Sequence, residues 1–224
     1  MDRIGQVVPP GAFRGWRALV IGGSRGLGEV AAKLLAAGGA RVALTYHQGR
    51  EDAQRVVEAI TQSGGKARCL AWDVLAGPES ALAELGDERI DCLCYFATPF
   101  IAKGPGAGFS AKAFRVFCDY YVTGFLQTVQ AVLPLATTGL RVLYPSSVAC
   151  EDIPADMYEY AAAKLAGEGV CQFLQKAHPE TLRLWAPRLP RLATDQLPTF
   201  LPVESEDPVD YCLEALRRLG DMAF

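Results

Sequence analysis

The chain reads as an α/β protein, with a doubly wound, mainly parallel sheet of about six strands and helices on both faces. Short apolar runs alternate with longer segments of helical spacing along most of its length. The loop Gly22-Gly23-Ser24-Arg25-Gly26-Leu27-Gly28 joins the first such run to the first helical segment. At 224 residues there is enough chain for one sizeable core but little for two, so 1–224 is taken as a single domain.

Residues 1–16 read as an irregular lead-in, broken by Val7-Val8-Pro9-Pro10-Gly11. Ala18-Leu19-Val20-Ile21 is a short buried strand, and residues 26–37 carry helical spacing at Leu27, Val30, Ala31, Leu34 and Leu35. Strand two covers 42–45 and is followed by a helix over 51–62. Strand three covers 67–72, a short helix 78–85 and strand four 91–96. A long helical region runs over 111–135, and strand five covers 140–144. The next helix spans 157–176, with Asp156 placed to cap it and Glu159 to complete a capping box. Strand six covers 181–185 and a last helix 208–219. No strand pattern is read after that helix.

Half of the residues are hydrophobic and 21% are charged, the balance of a folded chain rather than a disordered one. A net charge of −3 and a pI near 5.5 give no reason to expect nucleic acid as a partner. No run approaches ~18 apolar residues, so no membrane span is expected. Met1-Asp2-Arg3-Ile4-Gly5-Gln6 lacks the pattern of a secretion signal. The seven cysteines have no zinc-like spacing, no metal is expected, and Cys92 and Cys94 read as small core residues. The expectation is a reduced, cytoplasmic setting.

Gly22, Gly26 and Gly28 fall between a strand and a helix, where the backbone must turn tightly and where a helix N-terminus favours a pyrophosphate. Ser24, Arg25 and Leu27 share that loop and are candidate cofactor contacts. Strand two ends in Tyr46 and His47, with no carboxylate to repel a ribose 2′-phosphate. Arg25 supplies a guanidinium able to pair with one, so NADP is expected over NAD. Asp73 and Val74, closing strand three, are placed to meet the adenine edge, although a strand-terminal Asp is also a common turn former. Downstream, Tyr160 and Lys164 stand four apart on one helix face, with Ser147 thirteen residues before the tyrosine. A cation beside a phenol stabilises its phenolate and tunes it for proton transfer.

Together these residues resemble the short-chain dehydrogenase/reductase family of Rossmann-type proteins, over roughly residues 15–220. The resemblance is to its single-domain members, such as 3-oxoacyl-carrier-protein reductases and polyketide ketoreductases. It implies that Ser147 holds a substrate carbonyl, that Tyr160 donates the proton, and that Lys164 binds the nicotinamide ribose while depressing the Tyr160 pKa. It adds Ala97 and Pro187 to the cofactor contacts. It also implies a homodimer through the helices near 113–133 and 158–173, the second carrying Ala162, Ala166, Gly167 and Gly169. The chain departs from the family in several places. Tyr95-Phe96-Ala97-Thr98 stands for Asn-Asn-Ala-Gly, and Pro187-Arg188 for Pro-Gly. The chain stops at Phe224, where the family usually adds a seventh, C-terminal strand, so the expectation is a six-stranded sheet or a domain cut from a larger synthase. Tyr121 takes the place of an Asn that supports a water relay, so proton return is expected through bulk solvent or the Tyr121 hydroxyl.

The expected function is NADPH-dependent reduction of a ketone, with a catalytically weak, nucleotide-binding scaffold as the alternative. A dehydratase or epimerase of the longer sugar-nucleotide branch fits less well, because its glycine spacing differs and its substrate domain needs more chain. Residues 187–206 fall where the family places a substrate lid. Leu192, Leu197, Phe200 and Leu201 there suit an acyl or polyketide chain, free or carrier-bound, while a proline-rich connector packed on the core accounts for them equally.

Overall fold

The computed structural model describes residues 2–101, 108–190, 192 and 207–224. Its first half alternates strands and helices: β1 (Arg17–Ile21), α2 (Gly26–Ala37), β2 (Arg41–Tyr46), α3 (Arg50–Gln62), β3 (Lys66–Ala71), α4 (Glu79–Leu85) and β4 (Cys92–Tyr95), preceded by α1 (Asp2–Val7). Then come α5 (Ala111–Cys118), a π turn (Asp119–Gly124), α6 (Phe125–Val132), β5 (Leu140–Leu143), β6 (Ser146–Ser147), α7 (Ala149–Asp152) and α8 (Tyr158–Ala177). The chain closes with β7 (Leu182–Trp185), β8 (Arg188–Leu189) and α9 (Pro208–Asp221). Among the described residues the main sheet has six parallel strands in the order β3-β2-β1-β4-β5-β7.

Alternation along the strands divides the core. Ala18 and Val20 of β1, Val42 and Leu44 of β2, and Cys92 and Cys94 of β4 face one side, packing with Leu34 and Leu35 of α2 and Leu213, Leu216 and Leu219 of α9. Leu19 and Ile21, Leu93 and Tyr95, and Val142 and Leu182 face the other side, with Phe117, Phe125, Val129, Ala163 and Leu174. From β1 the chain winds outward to β3, then crosses back to β4 on the other flank of β1. The crevice at the C-terminal ends of β1 and β4 is therefore a switch point, where open parallel sheets place ligands.

Several sequence expectations are corrected. The lead-in is not irregular throughout: residues 2–7 form α1, because Ile4 and Val8 bury against the α2 and α9 side of the core. Phe13 is buried there as well, 2.3 Å from where a Cβ on Gly38 would stand. The helix over 111–135 is broken by the π turn and ends in a 3-10 turn at Leu133–Leu135 that carries Pro134. Helix α8 has Met157 at its N-cap with no side-chain cap, and Glu159 instead accepts a hydrogen bond from the Ser110 amide. The short β6, α7 and β8 were not anticipated. Gly167 packs inward: a Cβ there would stand 2.0 Å from the Tyr144 hydroxyl. Ala166 and Gly169 are exposed.

Candidate active site

The glycine loop is built by steric necessity. Gly22 and Gly26 have φ of 74° and 58°, and a Cβ on Gly28 would fall 2.2 Å from the Gly22 carbonyl oxygen. Thr45 fixes the loop from β2, its carbonyl accepting from the Gly23 amide at 2.9 Å and its hydroxyl from the Gly22 amide at 3.1 Å. Arg25 occupies the N-cap of α2 in extended backbone and makes no side-chain cap. The first amides of α2 thus face the crevice in the arrangement that suits a phosphate. Ser24 is buried beside them.

A cavity of about 390 Å³ joins this loop to the predicted reactive residues. Arg25, Leu27 and Gly28 line one end, Ala97 and Thr98 a wall, and Ser147, Tyr160 and Lys164 the floor. Its size is that of a small-molecule site. β6 and β8 form a two-residue parallel pair, the Ser146 amide donating to the Pro187 carbonyl at 2.8 Å and the Val148 amide to the Leu189 carbonyl at 3.0 Å. That pairing sets Ser147 opposite the first turn of α8. Burial pushes the Tyr160 phenol up to about 12, against the downward pull of the neighbouring Ser147 hydroxyl. Lys164 is buried, and desolvation lowers its pKa to about 8. Its Nζ donates to the Pro145 carbonyl at 2.7 Å. The expected depression of the Tyr160 pKa by Lys164 is therefore not found: burial wins, and the ammonium lies 6.0 Å from the centre of the phenol ring.

The remaining predicted contacts are more dispersed. Tyr46, His47, Asp73 and Val74 stand at the ends of β2 and β3, outside the lining of the cavity. Asp73 acts as a turn former, its carboxylate accepting from the Leu75 amide at 2.9 Å, and it lies 3.6 Å from His47 Nδ1. Val74 is a core residue. Arg25 is not an uncommitted cation: its Nη2 pairs with Asp52 at 3.0 Å, and Asp52 also holds Arg55. Asp52 and Arg55 were missed because only the packing of α3 brings its first turns to the glycine loop.

Two departures from the family pattern meet here. The Thr98 and Tyr121 hydroxyls are 2.5 Å apart, and Thr98 donates in turn to the Pro99 carbonyl, so Tyr121 is the donor to Thr98. The Tyr121 hydroxyl is thus engaged with Thr98, while Lys164 Nζ lies 4.0 Å from the centre of the Tyr121 ring. Arg188, where a glycine was expected, pairs with Glu168 through Nε at 2.9 Å and Nη2 at 2.8 Å. Glu168 also accepts from the Ser146 hydroxyl at 2.5 Å. The network ties β8, the strand bearing Ser147 and the helix bearing Tyr160, and the Arg188 guanidinium holds the Glu168 carboxyl below the usual range.

Residues 17–184 match the short chain dehydrogenase family. Among curated proteins, an oxidoreductase of Escherichia coli K12, YgfF, is 34% identical over 159 residues, covering 66% of this chain and 64% of its own length. An oxidoreductase of Methylorubrum extorquens is 47% identical over 153 residues, covering 66% of this chain and 60% of its own. The chain thus spans under two thirds of these relatives. A short chain dehydrogenase from Burkholderia cenocepacia, solved in complex with NADP, superposes with a TM-score of 0.81 at 26% identity, over 93% of this chain and 91% of that one. The oxidoreductase yciK of E. coli shares the fold, with a TM-score of 0.84 at 23% identity over 96% and 94% of the two chains.

Proposed function

This chain belongs to the short-chain dehydrogenase family, and on that premise we propose that it is an NADPH-dependent ketoreductase. The observation that carries the reading is the joining of Ser147, Tyr160 and Lys164 to the glycine loop in one cavity. The cofactor fits the residues present: the loop has no room for a Cβ at Gly28, and the open amides of α2 suit a pyrophosphate. The NADP complex of the Burkholderia relative supports the same choice. NADPH, when bound, supplies the hydride.

Ser147 and Tyr160 point two hydroxyls at one place, where a substrate carbonyl oxygen gains stabilisation as charge develops on it. Tyr160 then gives up its proton to that oxygen. A phenol pushed up to about 12 is protonated at neutral pH, as a donor must be, and is a weaker acid than an unperturbed tyrosine. Lys164 supplies positive charge below them and, by the family resemblance, a contact to the nicotinamide ribose. Arg25 with Arg55 is the seat for a 2′-phosphate. Ile101, Met157, Leu189 and Leu192 make the substrate end apolar, in keeping with an acyl or polyketide ketone, free or carrier-bound. The rest of the lid, at 191 and 193–206, lies outside the described residues.

The test is NADPH oxidation with a panel of ketones, for the unmodified chain and for Tyr160→Phe. The variant is expected to lose ~10²–10⁴-fold in turnover while binding NADPH unchanged, since it deletes a proton donor and little volume. Retention of more than about a tenth of the rate would remove Tyr160 as the acid. The alternative, a nucleotide-binding scaffold of low activity, draws support from Tyr121 standing beside Lys164 where the family carries an amide. Tight NADPH binding without turnover of any ketone would favour it.

A further inference from the structure

Lys164 is a buried cation enclosed mainly by rings. Its Nζ donates to the Pro145 carbonyl at 2.7 Å. It lies 4.0 Å from the ring centre of Tyr121, 4.9 Å from that of Tyr144 and 6.0 Å from that of Tyr160. An ammonium taken from water tends to shed its proton unless partners compensate, and the face of an aromatic ring is such a partner.

The nearest ring is also the most firmly placed. Tyr121 is 1% exposed and stacks on Phe117 at 5.9 Å and 6°. It meets Tyr160 edge-on at 5.7 Å and 85°. Its hydroxyl bonds Thr98, and its carbonyl accepts from the Tyr144 hydroxyl at 3.1 Å. The π turn that carries it interrupts an otherwise α-helical segment, and such interruptions recur at functional sites.

We propose that Tyr121 is a positioning residue that acts through the face of its ring, holding the Lys164 ammonium against the Pro145 carbonyl beneath Tyr160 and Ser147. Its hydroxyl locks the ring through Thr98 and takes no part in proton transfer. The importance of Lys164 to the reaction rests on the function proposed above, whereas the seat itself does not. The other groups facing the ammonium are the Tyr144 and Tyr160 phenols, Cys150 of α7, and Glu168 and Cys171 of α8. Cys150, Cys171 and Glu168 favour the charged form, and desolvation outweighs them.

The test compares six-membered rings that all lack the hydroxyl and differ in the charge on their faces. Phenylalanine and its difluoro and pentafluoro derivatives are introduced at position 121, and the titration of Lys164 is followed by NMR of isotope-labelled lysine, assigned by its loss in Lys164→Met. Tyr121→Phe is expected to titrate as the unmodified protein does. Fluorination, which drains and then reverses the charge on the ring face, is expected to lower the midpoint stepwise by about one pH unit in all. A midpoint that stays constant across the series overturns the proposal. So does a fall in Tyr121→Phe as large as that of the fluorinated rings, which would assign the effect to the hydroxyl. The titration is read on the protein without substrate, so failure to reduce any ketone counts against the function and not against this seat.

Discussion

Arg25 and Arg55 share one carboxylate, and that arrangement bears on cofactor choice. Asp52 is partly exposed, and both guanidinium groups are more than half exposed, so each pair contributes only about 0–1 kcal/mol. A phosphate dianion arriving beside the glycine loop competes with Asp52 for both cations. Asp52→Asn is therefore expected to tighten NADPH by up to about five-fold while leaving NADH nearly unchanged. Arg25→Ala is expected to weaken NADPH selectively. Titration calorimetry with both cofactors checks this, and a loss of NADH binding in Asp52→Asn would show instead that the carboxylate holds ribose hydroxyls. Arg25 is legible in the sequence because it sits inside the loop. Asp52 and Arg55 are not, because the rotation of α3 follows from burying Ala53, Val56 and Ile60.

Helix α8 carries its chemistry on one face and its close packing on another, and the two faces respond differently to a methyl group. Gly167 lies against the Tyr144 hydroxyl, with the Tyr121 carbonyl 2.9 Å from its would-be Cβ, whereas nothing lies within 4 Å of one on Gly169. Gly167→Ala is expected to cost about 1–3 kcal/mol, because the helix must lift off the π turn or Tyr144 must move. Gly169→Ala, in an exposed helix interior, is expected to gain up to about 1 kcal/mol. Thermal melting of the two variants decides it, and equal effects would mean that Gly167 is not a contact point. The sequence shows small residues in this helix but not which of them point inward. For the same reason β1 to β5 are legible from their apolar runs, while the two-residue β6–β8 pair is not. That pair is defined only by where Pro187 and Leu189 offer carbonyls to Ser146 and Val148.

For the whole molecule, the buried lysine sets function against stability. The parallel, doubly wound sheet follows from the β-α alternation, whereas the strand order and the environment of Lys164, where four separate segments converge, do not. Burial lowers its pKa from 10.5 to about 8, so the folded protein releases a proton that the unfolded chain retains until higher pH. Between those values the unfolded state binds more protons, and the contribution of Lys164 to stability rises with pH. Below about 8 the folded protein bears the full penalty of a charged, desolvated lysine, on the order of 2–4 kcal/mol. Lys164→Met is accordingly expected to be inactive yet more stable than the unmodified chain at pH 7, with the gap narrowing as pH rises from about 8 towards 10. Tyr160 opposes this only at the top of the range, since its raised pKa withdraws stability between 10 and about 12. Denaturant unfolding of both proteins across that pH range tests the linkage. If the stability difference does not change with pH, Lys164 is not held as a strained cation in the folded protein.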